Sequence, residues 1–296
     1  RAYSRRDVVR GALALAASSA LPWRARAQQP AYSATPALFV SHGSPLLAAD
    51  PVRGPELRAL GATLPKPNGV VAITPHYRTR RIELGMIGEG RAGYTFPAWL
   101  ARSLPPDLRY ATPSNAALAA RVTDLLAGHY RVARGDHQVL NHTVWMPLYH
   151  LLPSAEVPVL ELAHPYLPPR QLLELGRALA PLRDEGVLVL SSGGATHNLG
   201  AMDMHAARDA AVPAWAREFD AWLAETVTRS DVDALLDYRA RAPAVELAHP
   251  DDGDHFDVLL VALGAALGQG SALAHVASAV NGFEAGSMSK RCFTLG

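Results

Sequence analysis

The stretch VLVLSSGGATHNL, Val187–Leu199, decides how this chain folds. Val187–Ser191 is an almost purely apolar run bounded by small residues, the signature of a strand covered on both faces. Gly193-Gly194 then lets the backbone approach a ligand closely, and it leaves His197 beyond the carboxyl edge of the sheet. Three further runs read the same way: Ala37–Ser41 (ALFVS), Gly69–Thr74 (GVVAIT) and Val159–Ala163 (VLELA), the last interrupted by Glu161. Between and after them lie helical patterns at Pro55–Leu64, Asn115–Leu126, Pro169–Leu182, Ala214–Thr228 and Phe256–Leu267. Ser114 is placed to cap the second, and Pro168-Pro169 opens the third. Strands alternating with helices predict a single α/β domain, its mostly parallel central sheet flanked by helices. No internal repeat, low-complexity tract or linker divides it.

Five histidines sit where a strand ends or a loop begins: His42 in FVSHGSP, His76 in AITPHYRTR, His142 in LNHTVWMP, His197, and His255 in DGDHFDVLLVALG. An α/β sheet gathers the loops at the carboxyl ends of its strands, so residues this far apart can meet there. Neutral imidazole is a common ligand for zinc and iron, which points to a mononuclear metal site at those strand ends. His42 and His76 each follow a strand directly, and Pro45 and Pro75 help end those strands. Asp254, beside His255, is suited to cap the helix that follows, to ligate a metal, or to orient a ligand histidine. His142 has the weakest local argument, and His137 competes with it. His129, His150, His164, His205, His249 and His275 read as solvated or structural, with His164 the first exception to consider because HPYLPP follows a strand.

Other chemistries find little support. The glycines at 193 and 194 belong to neither G-x-G-x-x-G nor a Gly-Lys-Ser/Thr loop, which disfavours a phosphate cradle. Ser44 and Ser192 lack the G-x-S-x-G setting of a hydrolase nucleophile. Cys292 is the only cysteine, so neither an intrachain disulfide nor a multi-cysteine metal site is available, and its apolar neighbours suggest a core role.

The chain carries a formal charge of +1, but residues 1–27 contain six arginines and one aspartate. Without them 22 basic and 26 acidic residues remain, a net charge of −4. That body gives no support for a nucleic-acid partner. Ser4-Arg5-Arg6-Asp7, the short apolar run Gly11–Leu21 and Ala25-Arg26-Ala27 together read as a twin-arginine leader over residues 1–27. The expectation is a periplasmic protein of residues 28–296, with no membrane association once the leader is removed. The apolar run is too short for a transmembrane helix.

Taken in order, ALFVSHGSPLLA, VVAITPHYRTR, NHTVWMPL, LRDEGVLVLSSGGATHNL, DHFDVLLVALGAA and FEAGSMSKRCF span residues 37–293. In this combination the chain resembles class III extradiol ring-cleaving dioxygenases. The branch is that of the 4,5-DOPA extradiol dioxygenases, within the protocatechuate 4,5-dioxygenase catalytic-subunit superfamily. The resemblance implies a single mostly parallel α/β domain in which His42, His76 and His255 ligate a divalent metal. His255 stands where the wider superfamily has a carboxylate. His197 matches a histidine beside the metal that acts as acid and base and is sometimes counted as a fourth ligand. His142 matches the substrate-facing histidine of an Asp-His-Gly segment, which here reads Asn141-His142-Thr143.

The implied reaction is extradiol opening of a catechol ring by dioxygen, with His197 or His142 moving the proton. Fe(II) would support that redox step, whereas Zn(II) would bind an all-histidine site tightly without supporting it. A zinc-dependent hydrolase using metal-bound hydroxide, or a periplasmic metal- or ligand-binding protein that keeps the fold without catalysis, are the alternatives. No HExxH motif supports the hydrolase.

Overall fold

The computed structural model describes residues 34–207 and 210–296. The twin-arginine leader read over residues 1–27 lies outside them. Eight strands form one sheet: β1 Ala37–Ser41, β2 Gly69–Thr79, β3 Ile82–Leu84, β4 Val132–Arg134, β5 Val159–Pro165, β6 Val187–Gly193, β7 Val276–Val280 and β8 Cys292–Leu295. Their spatial order is β4-β3-β5-β2-β6-β1-β8-β7. The central four, β5-β2-β6-β1, are parallel throughout. Antiparallel pairing enters only towards the edges, at β3 with β5, β1 with β8 and β8 with β7. The four apolar runs seen in the sequence are these four central strands, whose residues are buried on both faces. β2 is buried in the same way until His76. The edge strands escaped sequence reading because they are short or lack an apolar run.

Among the described residues, six helices of ten or more residues flank the sheet: α1 Arg53–Thr63, α2 Ala116–Leu126, α3 His142–Leu151, α4 Pro169–Leu179, α5 Ala214–Thr228 and α6 Asp254–Leu267. Two apolar cores, one on each face, carry the packing. Helix α3 was not expected, because Pro147 within it removes a backbone donor and disguises the pattern. Ser114 is not the cap of α2. It closes a short strand, and Asn115 takes the cap position with its side chain bonded to Gly88 N, Met86 O and Val159 O instead. The expected helix over 169–182 stops at Leu179, and a separate turn begins at Pro181, where proline cannot continue the ladder.

Helix α6 crosses α4 through two glycines. A methyl on Gly176 would strike Val261 O, and one on Gly264 would strike Leu173 O. Both obstacles are backbone, so neither side can yield by rotating a side chain. Gly176→Ala or Gly264→Ala should therefore each destabilise the fold by about 1–3 kcal/mol through overpacking. Urea denaturation checks this, and a loss near zero would mean the helices separate freely.

Candidate active site

All five flagged histidines meet at the carboxyl ends of the central strands, each delivered by a different device. His42 follows β1 directly, and its amide donates to Gly193 O at 2.9 Å. The preceding carbonyl, Ser41 O, accepts from the buried Arg53 Nη2 at 2.6 Å. His76 comes from an irregularity in β2: pairing with β5 runs to Thr74 opposite Ala163 and resumes at Arg78 opposite His164. The extra residues Pro75, His76 and Tyr77 loop out, which re-aims a side chain at a strand end. His255 lies in the first turn of α6, His197 in the loop after β6, and His142 at the start of α3.

His42, His76 and His255 offer ligand atoms within 4.8 Å of one another. Their ring centroids stand 5.2–5.3 Å apart, and His76 Nε2 lies 3.2 Å from His255 Nε2. His197 does not join that group. It forms a second one with Asp251 and His255, its ring stacked on His255 at 3.4 Å and its Nδ1 3.2 Å from Asp251 Oδ2. His142 packs edge-on to His76 at 5.1 Å and lines a small cleft with His42. His137, its competitor, instead stacks on Tyr77 and faces the buried Glu161 at 3.7 Å.

Whether the trio suits a metal turns on its lone pairs. Ser192 Oγ donates to Thr143 O, so it accepts from His42 Nδ1–H at 3.3 Å, and this leaves the lone pair of His42 on Nε2. His255 Nδ1 lies 2.6 Å from Asp254 Oδ1, which likewise frees its Nε2. Burial first, and the neighbouring imidazoles next, hold His42 well below the usual histidine range. His76, the exposed member, is pushed down to about 3 by loss of water on its packed side and then by His255, His142 and His197. Burial also lowers His255, and it lowers His142 to about 4. Neutral imidazoles presenting lone pairs to one point are the donor set a divalent cation requires. The residues fit the group.

Asp254 does not cap α6; Gly253 holds that position without a side-chain bond. Its carboxylate spans His255 Nδ1 and Arg78 Nη1, the latter at 3.2 Å. Asp251 holds His197 similarly. Burial raises its carboxyl, but the bonds from His197 and Gly253 N prevail and lower it. Sequence reading missed Asp251, although the acidic run around it was visible. It also missed Thr95 and Phe96, which carry no motif and contact His142 only in three dimensions.

The remaining histidines divide. His150 donates from Nε2 to Leu47 O at 3.0 Å, and His249 from Nε2 to Ala195 O at 3.1 Å, so both are structural. His164 is buried with neither ring nitrogen bonded among the described residues. Cys292 is buried in the core, as expected.

The carboxyl edge of the sheet thus gathers three converging imidazoles, a carboxylate-backed fourth and, packed against His76, a fifth, a frame able to hold a metal ion. The chain belongs to the family described as the catalytic LigB subunit of aromatic ring-opening dioxygenase, matched over residues 36–286. That family generally uses a metal ion. The chain is 34% identical to the 4,5-DOPA dioxygenase extradiol of Beta vulgaris over 236 residues, 77% of this chain and 85% of that one. It is 29% identical to the 4,5-DOPA dioxygenase extradiol of Escherichia coli K12 over 266 residues, 88% of this chain and 94% of that one. A crystal structure of an uncharacterized protein from Escherichia coli K12 superposes with a TM-score of 0.72 at 29% identity, covering 88% of this chain and 100% of that chain.

Two outcomes follow from these contacts. Asp254→Asn should weaken Zn(II) affinity by about 10–100-fold in competition with a chromophoric chelator, the usual cost of losing a carboxylate behind a ligand histidine. Unchanged affinity would show that Asp254 does not orient His255. The metal-free protein should also lose thermal stability as pH falls below about 6.5. Burial lowers His164 to about 4 and His249 to about 3 in the folded state, so acid favours the unfolded chain, which binds the extra protons. Their contribution is complete above about 6.5 and is lost progressively down to the folded-state values. A calorimetric Tm that stays level between pH 7 and 4 would contradict this.

Proposed function

We propose that this protein is an extradiol dioxygenase that opens the ring of a substituted catechol, with His42, His76 and His255 holding one Fe(II). The observation that carries the reading is the convergence of those three neutral donors between two differently equipped histidines. When bound, the ion would supply Lewis acidity towards the two adjacent phenolic oxygens and the electron exchange with O2 that zinc cannot supply.

The chain's own residues do the rest. His197, backed by Asp251, accepts a phenolic proton through its other ring nitrogen. Asp251 stabilises the resulting imidazolium, so the proton stays available for return to the opening ring. Positioned proton transfer of this kind is worth about 10²–10⁴-fold in rate. His142 confronts the substrate from the opposite side, with the Phe96 ring edge-on to it at 5.0 Å. The half-buried Phe96 walls an aromatic ring without competing for its oxygens. The relatives named 4,5-DOPA dioxygenase extradiol favour a catechol with a side chain para to one hydroxyl.

Anaerobic Fe(II) reconstitution followed by a catechol panel tests the reading, with oxygen uptake and the absorbance of the yellow ring-opened product as readouts. Wild type should consume O2, His42→Ala should lose both metal and turnover, and His197→Ala should keep the metal while losing turnover at least 100-fold. An Fe(II)-loaded protein that consumes no O2 with any catechol would leave a zinc hydrolase or a non-catalytic binding protein in its place.

A further inference from the structure

His142 is gripped by a loop of its own. The segment after the short strand Glu89–Arg91 runs back alongside the residues that lead into α3. Ala92 bridges Leu140 in parallel, Gly93 N donates to Leu140 O at 2.9 Å, and Trp145 Nε1 reaches from α3 to Gly93 O at 2.8 Å. Gly93 is required there, because a methyl would collide with Val139 and press on Leu140 O. The Tyr94 ring then packs on Trp145 at 5.6 Å. Four successive contacts, two to Leu140 just before α3 and two to Trp145 within it, therefore fasten this loop before Thr95 is reached.

Thr95 Oγ1 stands 3.2 Å from His142 N and 2.7 Å from His142 Nδ1. The amide can only donate, so the hydroxyl accepts from it. The hydroxyl's own proton then has one protein acceptor among the described residues, His142 Nδ1. The hydroxyl keeps a second lone pair, but giving its proton to Nδ1 is the arrangement that spends that proton within the protein. The ring then accepts at Nδ1 and carries its own proton on Nε2, the nitrogen that has no protein partner among the described residues.

We propose that Thr95 is a positioning residue that fixes His142 in the Nε2–H tautomer, so that His142 meets the substrate as a hydrogen-bond donor and not as a base. This rests on the ring-opening reading above and divides the labour between the two histidines. His197, whose Nδ1 is committed to Asp251, moves the proton. His142 offers an N–H towards oxygen that becomes negative as the catechol ionises, which is where a preorganised donor has its effect. A second lone pair at that position would repel the same oxygen.

The test reads the tautomer directly. Histidine-selective 15N labelling of the zinc-loaded protein, with long-range 15N–1H correlation, separates the two neutral forms, and His142→Gln assigns the signal. Wild type and Thr95→Ser should show His142 protonated on Nε2. Thr95→Val, which keeps the shape and removes the hydroxyl, should show both forms at unchanged zinc content and thermal midpoint. With Fe(II), Thr95→Val should lower kcat by about 10-fold while KM moves less than about 2-fold, and Thr95→Ser should restore kcat. His142 protonated on Nδ1 in the wild type, or Thr95→Val matching wild type in tautomer and kcat, would overturn the proposal. The tautomer is read without turnover, so a protein that opens no catechol would defeat the ring-opening reading separately.

Discussion

Gly193 and Gly194 are the point on which the site depends. Gly193 O accepts from His42 N at 2.9 Å, and Gly194 N donates to His255 O at 3.0 Å. A methyl on Gly193 would strike that same His255 carbonyl and the Val258 side chain. Two adjacent residues thus tie the end of β1 and the start of α6 to the end of β6 by backbone alone. The next residues continue the stitching, with Ala195 N on Ser41 Oγ at 3.0 Å and His197 N on Ala248 O at 2.8 Å. Three of the five histidines are therefore set by main-chain bonds around one turn. Gly193 serves this approach of chain to chain, where the sequence had suggested an approach to a ligand.

That geometry creates an electrostatic problem which the surrounding residues answer. Rings this close cannot all be protonated, since like charges a few ångströms apart in a partly dry site repel strongly. Burial and mutual repulsion keep His42, His76 and His255 neutral, and the carboxylates are aimed at the outer nitrogens of His255 and His197. Negative charge thus sits behind the imidazoles and lone pairs point inward. Arg78, shared between Asp252 and Asp254 and lying over the Tyr166 ring at 4.1 Å, balances the carboxylates at the rim. A cation is the species such an interior accommodates.

The sequence revealed the layering and the four central strands because fully buried parallel strands are apolar on both faces and leave an unmistakable run. It revealed His42, His76, His197 and His255 because each lies at the end of such a run or at a helix start. Glu161 interrupted its run for a reason now visible: its carboxylate accepts from Asn141 N at 2.6 Å inside the sheet, anchoring the residue that caps α3. What stayed illegible was α3 itself, masked by Pro147, and the groups that act on a histidine from a distant segment. Thr95 lies 47 residues from His142, and no local pattern links them.

The two halves of the site are therefore held by different forces. The half built from His42, His76 and His255 rests on sheet pairing and on Gly193, which admits no side chain, so substitutions there act on the fold as a whole. The half around His142 rests on side chains: Thr95 on His142, Trp145 on Gly93, Asn141 Nδ2 on His76 O at 3.3 Å, and Thr143 on Thr74 at 2.7 Å. Each of these is a single hydrogen bond worth about 1 kcal/mol net, well within what one substitution can remove without unfolding the protein. The fold can keep its three converging imidazoles while the wall opposite them changes. It is in Asn141-His142-Thr143, part of that wall, that this chain departs from the Asp-His-Gly segment it otherwise resembles.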